Sequence, residues 1–196
     1  MNMQSAQHMA DSDQTTLKAI QQRTVELGFD MASELAVGSL VRSLIASKPG
    51  GTMLELGTGT GLSTFWMLAG LTDDAKLVSV DNDAAVQAVA KEYLGSDKRL
   101  QLICADGADF IRAAQSGSYD LIFADAWPGK YSELDETLAL LKSGGIYFVD
   151  DLLPQENWPA GHQANVDAFI IDMQAREGFH VTVLDWASGL LMAVKA

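Results

Sequence analysis

A chain of 196 residues, 48% of them apolar, is long enough to bury a sizeable core and short enough to form one domain. Its formal charge of -13 excludes a nonspecific binder of the nucleic-acid backbone, which needs clustered Lys and Arg, and argues against docking on an anionic membrane. A single cysteine, Cys104, excludes an internal disulfide framework and suits a reducing compartment.

No apolar run approaches the ~18 residues of a membrane span, and the N-terminus is polar rather than signal-like. A cytoplasmic protein is the expectation. Residues 1–14 show no periodicity and read as a flexible tail, with His8 solvated in it. Residues 15–196 read as a single domain: a helical cap over 15–48 and an α/β core over 50–196. In the cap, Leu17, Ile20 and Leu27 suggest one helical face, and Met31, Leu35, Leu40, Leu44 and Ile45 another. Gly28 and Gly38 are candidate breaks.

Thr52 to Ala69 organises the core. Met53, Leu54 and Leu56 predict a buried strand, with Glu55 inside it. Gly57, Gly59 and Gly61 alternate with threonines, the pattern of a turn where backbone passes close to a ligand. Leu62, Phe65, Trp66 and Ala69 then mark one face of a helix. Further strands are predicted over 76–81, 100–106, 119–125 and 145–151, each followed by a helix. The last two, 179–186 and 190–195, read as a hairpin through Ala187, Ser188 and Gly189. Near-continuous apolar strands alternating with helices predict a doubly wound, mostly parallel seven-stranded sheet with a C-terminal antiparallel hairpin.

Five acids stand at predicted strand ends: Asp81, Asp106, Asp125, Asp150 and Asp151. Open α/β sheets bind ligands beyond the carboxyl ends of their strands, so these carboxylates should line a common cleft. Asp81 follows Gly57 by 24 residues, where an acid accepts hydrogen bonds from ribose hydroxyls. The NAD fingerprint needs a third glycine or an alanine, and Leu62 stands there. A nucleoside-type cofactor survives this test; a pyrophosphate does not.

LELGTGTG, the acid of VSVDND, ADGADF, YDLIFADAWPGKY and LKSGGIYFVDDLL resemble the successive motifs of class I S-adenosylmethionine-dependent methyltransferases, in order and spacing. The helical N-terminal region and the last two motifs are most similar to small-molecule O-methyltransferases of the catechol and caffeoyl-CoA type. The resemblance implies that Gly57, Thr58, Gly59 and Ser63 surround the methionine part of the cofactor, with Glu55 supporting the turn or the amino group. Asp81 would hold the ribose hydroxyls. Asp106 and Gly107 would meet the adenine amino group. Asp125 would lie near the methionine end and the acceptor. Trp127 reads equally as an adenine neighbour or as an ordinary core or lid aromatic.

In the catechol-type enzymes an acid matching Asp125 and an Asp-Asn pair bind a divalent metal. Here that pair is Asp150-Asp151, so three carboxylates would face Mg²⁺, Ca²⁺ or Mn²⁺, or Asp151 caps a loop and no metal binds. Those enzymes also carry a general-base lysine at the position of Pro128. Lys130, two residues on, reads as a substitute base or as a surface lysine. Leu152 to Gly161, with Trp158, reads as a substrate-covering loop or a rigid connector. His162 and His180 read as structural or solvated, and Cys104 as a small core residue. The reading is methyl transfer from S-adenosylmethionine to an oxygen of a small-molecule acceptor, with no nucleic-acid or membrane partner; the N-terminal helices suggest a homodimer by resemblance. Its rivals are an aminopropyl transferase-like enzyme and a noncatalytic nucleoside-binding module.

Overall fold

The computed structural model describes residues 11–155 and 157–196. Of the expected tail, residues 1–10, His8 among them, lie outside the described residues. Residues 11–14 are not tail: helix α1 begins at Asp11 and runs to Glu26. Leu17, Ile20 and Thr24 give it a buried stripe at helical spacing. Helix α2 spans Leu35–Ala46 and buries Val37, Gly38, Val41 and Ile45. Gly28, in the left-handed region, does mark a break between them. Leu27, Met31 and Leu35, expected on buried faces, are exposed because they flank or start that connection.

The core elements are β1 (Thr52–Leu56), α3 (Leu62–Gly70), β2 (Lys76–Asp81), α4 (Ala84–Leu94), β3 (Leu100–Cys104), α5 (Gly107–Ala113) and β4 (Tyr119–Ala124), then α6 (Leu134–Ala139), β5 (Leu141–Val149), α7 (His162–Ala175), β6 (Phe179–Leu184) and β7 (Leu190–Lys195). The sheet order is β3-β2-β1-β4-β5-β7-β6. Strands β1 to β5 pair in parallel, and β7 lies antiparallel between β5 and β6. The doubly wound sheet with its terminal hairpin is therefore as expected. Among the described residues no helix is long and apolar enough to cross a membrane.

Alternating side chains of the central strands feed two cores. Met53, Leu77, Leu121 and Phe123 pack under α1–α4, whereas Leu54, Ile122, Tyr147 and Val149 pack under α5–α7. Two strand predictions need correction. Strand β5 starts four residues early, at Leu141, because a register shift between Tyr119 and Leu121 lets the strand run through Ser143, Gly144 and Gly145. Strand β3 is an edge strand and only partly buried, so Cys104 is exposed rather than core.

Gly38 is not a break. It lies inside α2, where the Trp66 indole of α3 sits against the helix backbone; a Cβ there would stand 2.1 Å from Trp66 Cδ1. Trp66 is itself buried, with the Arg42 guanidinium 5.3 Å from its ring centre. Gly38→Ala should gain up to ~1 kcal/mol of helix propensity and lose more, about 1–3 kcal/mol, to overpacking. Urea unfolding should show a net destabilisation; a more stable variant would mean that the indole is not held against α2.

Candidate functional site

The chain reverses direction across the sheet between β1 and β4: it adds β2 and β3 on one side of β1, then returns to place β4 on the other. Strand tips diverge at such a point and leave a crevice. A cavity of about 370 Å³ lies there, within the usual range for small-molecule sites.

Its floor is the glycine turn. Gly57, Gly59 and Gly61 all have positive φ, which glycine adopts without a Cβ penalty. A Cβ on Gly57 would come within 2.4 Å of the Asp125 carbonyl oxygen. The Gly57 N–H donates to the Val80 carbonyl, and the Asp125 N–H to the Leu56 carbonyl, both at 2.9 Å. The tips of β1, β2 and β4 are thus locked together by backbone. Thr58 and Thr60 point away from the turn into polar contacts: Thr58 Oγ1 lies 2.6 Å from Ser79 Oγ, and Thr60 Oγ1 lies 2.7 Å from Thr24 Oγ1 of α1.

Asp81 faces the same cavity. Its Oδ2 accepts from the Gly59 N–H at 2.7 Å and its Oδ1 from the Asp83 N–H at 2.8 Å, so its carboxylate is oriented before any ligand arrives. Ser63, Gly107, Asp125, Trp127 and Pro128 complete the walls with the turn. Of the expected cofactor residues, two lie off the wall. Asp106 is exposed and caps α5, accepting from the Asp109 N–H. Glu55 is buried beneath the turn, its Oε2 accepting from Thr64 Oγ1 and Ser79 Oγ, both at 2.5 Å.

The connection between α1 and α2 forms a roof that sequence patterning did not reveal. Phe29, Met31, Ala32 and Ser33 line the cavity, and Ser33 Oγ donates to Asp125 Oδ2 at 2.9 Å. Only Gly28 hinted at a turn there; nothing in the spacing marked Ser33 as a partner of a residue 92 positions on. The Leu152–Gly161 stretch reaches this roof, with Asn157 donating to the Asp30 carbonyl at 3.1 Å.

Behind Asp125 lies the acidic end of the site. Burial pushes the Asp125, Asp150 and Asp151 carboxyls up, Asp125 and Asp150 further so by neighbouring carboxylates. Asp151 is held in the left-handed region, a conformation costly for a residue with a side chain. Asp150 Oδ1 accepts from Ser188 Oγ and from the Asp151 N–H, while its Oδ2 is buried without a hydrogen-bond partner. Lys130 is no surface lysine: it is 5% exposed, and its Nζ donates to the Asp150 carbonyl at 2.6 Å. Among the described residues no three His, Cys, Asp or Glu side chains are arranged to hold a metal ion, so the expected trio of Asp125, Asp150 and Asp151 is not a ready cage.

An aromatic wall adjoins this end. The Trp127 ring lies 4.9 Å from Tyr131 and 5.7 Å from His162, and Trp158 lies 4.6 Å from His162. His162, which had no partner recognisable by spacing, is therefore set among aromatics, and burial lowers its pKa. His180, by contrast, is exposed on β6.

A family model described as a methyltransferase domain matches residues 54–152, just over half of the chain. The chain belongs to the methyltransferase-domain family. The matched segment runs from β1 past Asp151 and so contains the glycine turn, Asp81 and the three aspartates of the acidic end. A Mycobacterium ulcerans protein named "Putative O-methyltransferase" is 33% identical over 143 residues, which is 70% of this chain and 63% of that protein. The chain thus spans less than two thirds of that relative's length. The O-methyltransferase from Bacillus cereus in complex with SAH superposes with a TM-score of 0.83 at 19% identity, over 97% of this chain and 94% of that one. The O-methyltransferase TomG from Streptomyces achromogenes in complex with SAM gives 0.78 at 19%, over 96% and 91%. At these identities the two structures establish a shared fold.

Burial of Glu55 raises its pKa from 4.5 to about 7, against the lowering effect of the Ser63, Ser79 and Thr64 hydroxyls. Because the folded value lies above the unfolded one, this group's contribution to stability is full below pH 4.5 and is lost as pH rises through about 7. Glu55→Gln, which keeps a carbonyl acceptor and carries no charge, should gain stability relative to the wild type over that range, on the order of 3 kcal/mol. Urea titrations of both proteins across the window check this; parallel pH profiles would contradict it.

Proposed function

We propose that the chain is a class I S-adenosylmethionine-dependent methyltransferase that methylates an oxygen of a small molecule. The observation that carries this is the convergence of the glycine turn and Asp81 on one cavity at the sheet's switch point. Support comes from family membership and from neighbours of the same fold that hold SAM or SAH.

When bound, the cofactor supplies an electrophilic methyl group on a sulfonium. This chain's part is to bind and align. Asp81, already oriented by two backbone N–H groups, takes the ribose hydroxyls with its remaining lone pairs. The absence of side chains at Gly57 and Gly59 lets an amino-acid tail lie against backbone, beside Thr58 and Ser63. Glu55 supports the turn from below through Ser79 and Thr64. Gly107, with Asp106 at the same helix start, meets the adenine edge, and Trp127 packs beside the base. Asp125, fixed by Ser33, faces the methionine end and the acceptor.

An acceptor hydroxyl passes its proton to the Asp125 carboxylate, whose pKa burial raises to about 6, as its oxygen bonds the methyl carbon; the carbon–sulfur bond breaks and its electron pair stays on sulfur. Holding nucleophile, carbon and sulfur in line removes several kcal/mol from such a barrier, up to ~7–11. Lys130 is poorly placed as the proton acceptor: its Nζ already donates to the Asp150 carbonyl, and it does not line the cavity. Its part is electrostatic, through Asp125.

S-adenosylhomocysteine should raise the melting temperature by mass action and NAD should not. Asp81→Ala should weaken that ligand about 10–100-fold by calorimetry, the worth of charge-assisted hydrogen bonds, with little change in acceptor KM. Absence of any S-adenosyl binding would remove the reading. Binding without methyl transfer to a broad panel of phenols and carboxylates would favour the noncatalytic module.

A further inference from the structure

We infer that the acceptor is a hydroxyl compound whose body is uncharged or cationic, and that the site rejects acceptors carried on an anion such as a carboxylate, a phosphate ester or coenzyme A. The inference rests on the proposed methyl-transfer reading and names the acceptor class for that same site.

The lining carries charge of one sign. Asp81, Asp83 and Asp125 face the cavity, and among the described residues that line it none is Lys, Arg or His. The roof adds Asp30 and Glu34, both exposed, on either side of Met31, Ala32 and Ser33. Leu152 to Gly161, which meets that roof through Asn157, carries no Lys or Arg. The arginines of α1 and α2 are committed elsewhere: Arg23 pairs with Glu26 at 2.6 Å, and Arg42 lies over the Trp66 ring. Lys130 donates to the Asp150 carbonyl and does not line the cavity. Carboxylates and phosphates are recognised by Arg, Lys or grouped N–H donors, and a cleft lined by one sign of charge depletes ions of that sign.

Hydrogen-bond polarity points the same way. Ionised carboxylates only accept, so this lining suits O–H and N–H groups. The hydroxyls that would serve an anion already give their protons away. Ser79 and Thr24 donate to Glu55 and to the Ile20 carbonyl, so Thr58 and Thr60 are the donors in their contacts with those two residues. Ser33 donates to Asp125 at 2.9 Å. Asn82 adjoins Asp81, at the end given to the ribose. The rest of the roof is apolar: Met31 lines the cavity and is 63% exposed, beside Phe29 and Ala32. A hydroxyl compound without negative charge satisfies these surfaces, whereas an anion would lose water against carboxylates and gain no partner.

The test uses the full chain, S-adenosylmethionine and three dihydroxyphenyl compounds of like size whose side chains end in an ammonium, a hydroxyl or a carboxylate. At low salt kcat/KM for the carboxylate form should be at least about tenfold below the other two. The gap should shrink towards ~1 M salt, where the Debye length is about 3 Å, and in the double variant Asp30→Asn, Glu34→Gln. A carboxylate form turned over as well as the others would overturn the inference, as would a gap that neither salt nor those substitutions narrow. Should none of the three be methylated, Trp127 decides, since it lines the cavity and is 51% exposed. Its emission is the difference between wild type and Trp127→Phe. Relative to free tryptophan, iodide should quench that emission at least about threefold less than neutral acrylamide at low salt; equal quenching would overturn the inference. Loss of S-adenosylhomocysteine binding would instead strike the proposed function and leave the quenching comparison standing.

Discussion

The site depends on how closely the backbones of β1 and β4 approach at the switch point. Gly57 lies where any side chain would strike the Asp125 carbonyl oxygen, and the N–H groups of Gly57 and Asp125 each bond a neighbouring strand tip. These contacts fix a turn in the left-handed region on one side and a carboxylate on the other, across a cavity of about 370 Å³. The crevice follows from parallel topology; its bare floor follows from three glycines.

Around that constraint the chain distributes its polar groups by depth. Asp81 keeps its carboxylate at the cavity wall and uses backbone N–H groups to orient it. Glu55 lies deeper and answers its burial with hydroxyl donors from Ser79 and Thr64. At the acidic end behind Asp125, the Ser188 hydroxyl donates to the Asp150 carboxylate and Lys130 to the Asp150 backbone carbonyl. Each arrangement prepares a direction before a ligand enters, so binding need not supply the energy of ordering those groups. The roof from Phe29 to Ser33 closes the cavity from the helical cap and ties it to Asp125. The cap is therefore part of the site as well as a cover for one sheet face.

Features encoded locally were legible in the sequence. Strand periodicity, the glycine turn and the acids at strand ends gave the sheet order class and brought Gly57, Asp81 and Asp125 to one cavity. What escaped depended on distant partners. Lys130 looks like a surface residue in sequence because nothing beside it announces its partner, the Asp150 backbone carbonyl; its burial comes from the chain path between β4 and α6. Ser33 sits in a connection without pattern. Gly38 reads as a helix breaker because its partner, the Trp66 indole, lies on another helix. Cys104 reads as core because its strand is apolar, and only topology places that strand at the edge. The start of β5 was hidden because Gly144 and Gly145 interrupt the apolar run just where the strand shifts register against β4.

The most direct measurement is a crystal structure of the chain with S-adenosylhomocysteine. The account predicts the ribose against Asp81, the amino-acid tail over Gly57 and Gly59, and the sulfur facing Asp125. A ligand seated elsewhere, or a turn that rearranges to fill the cavity with side chains, would contradict it.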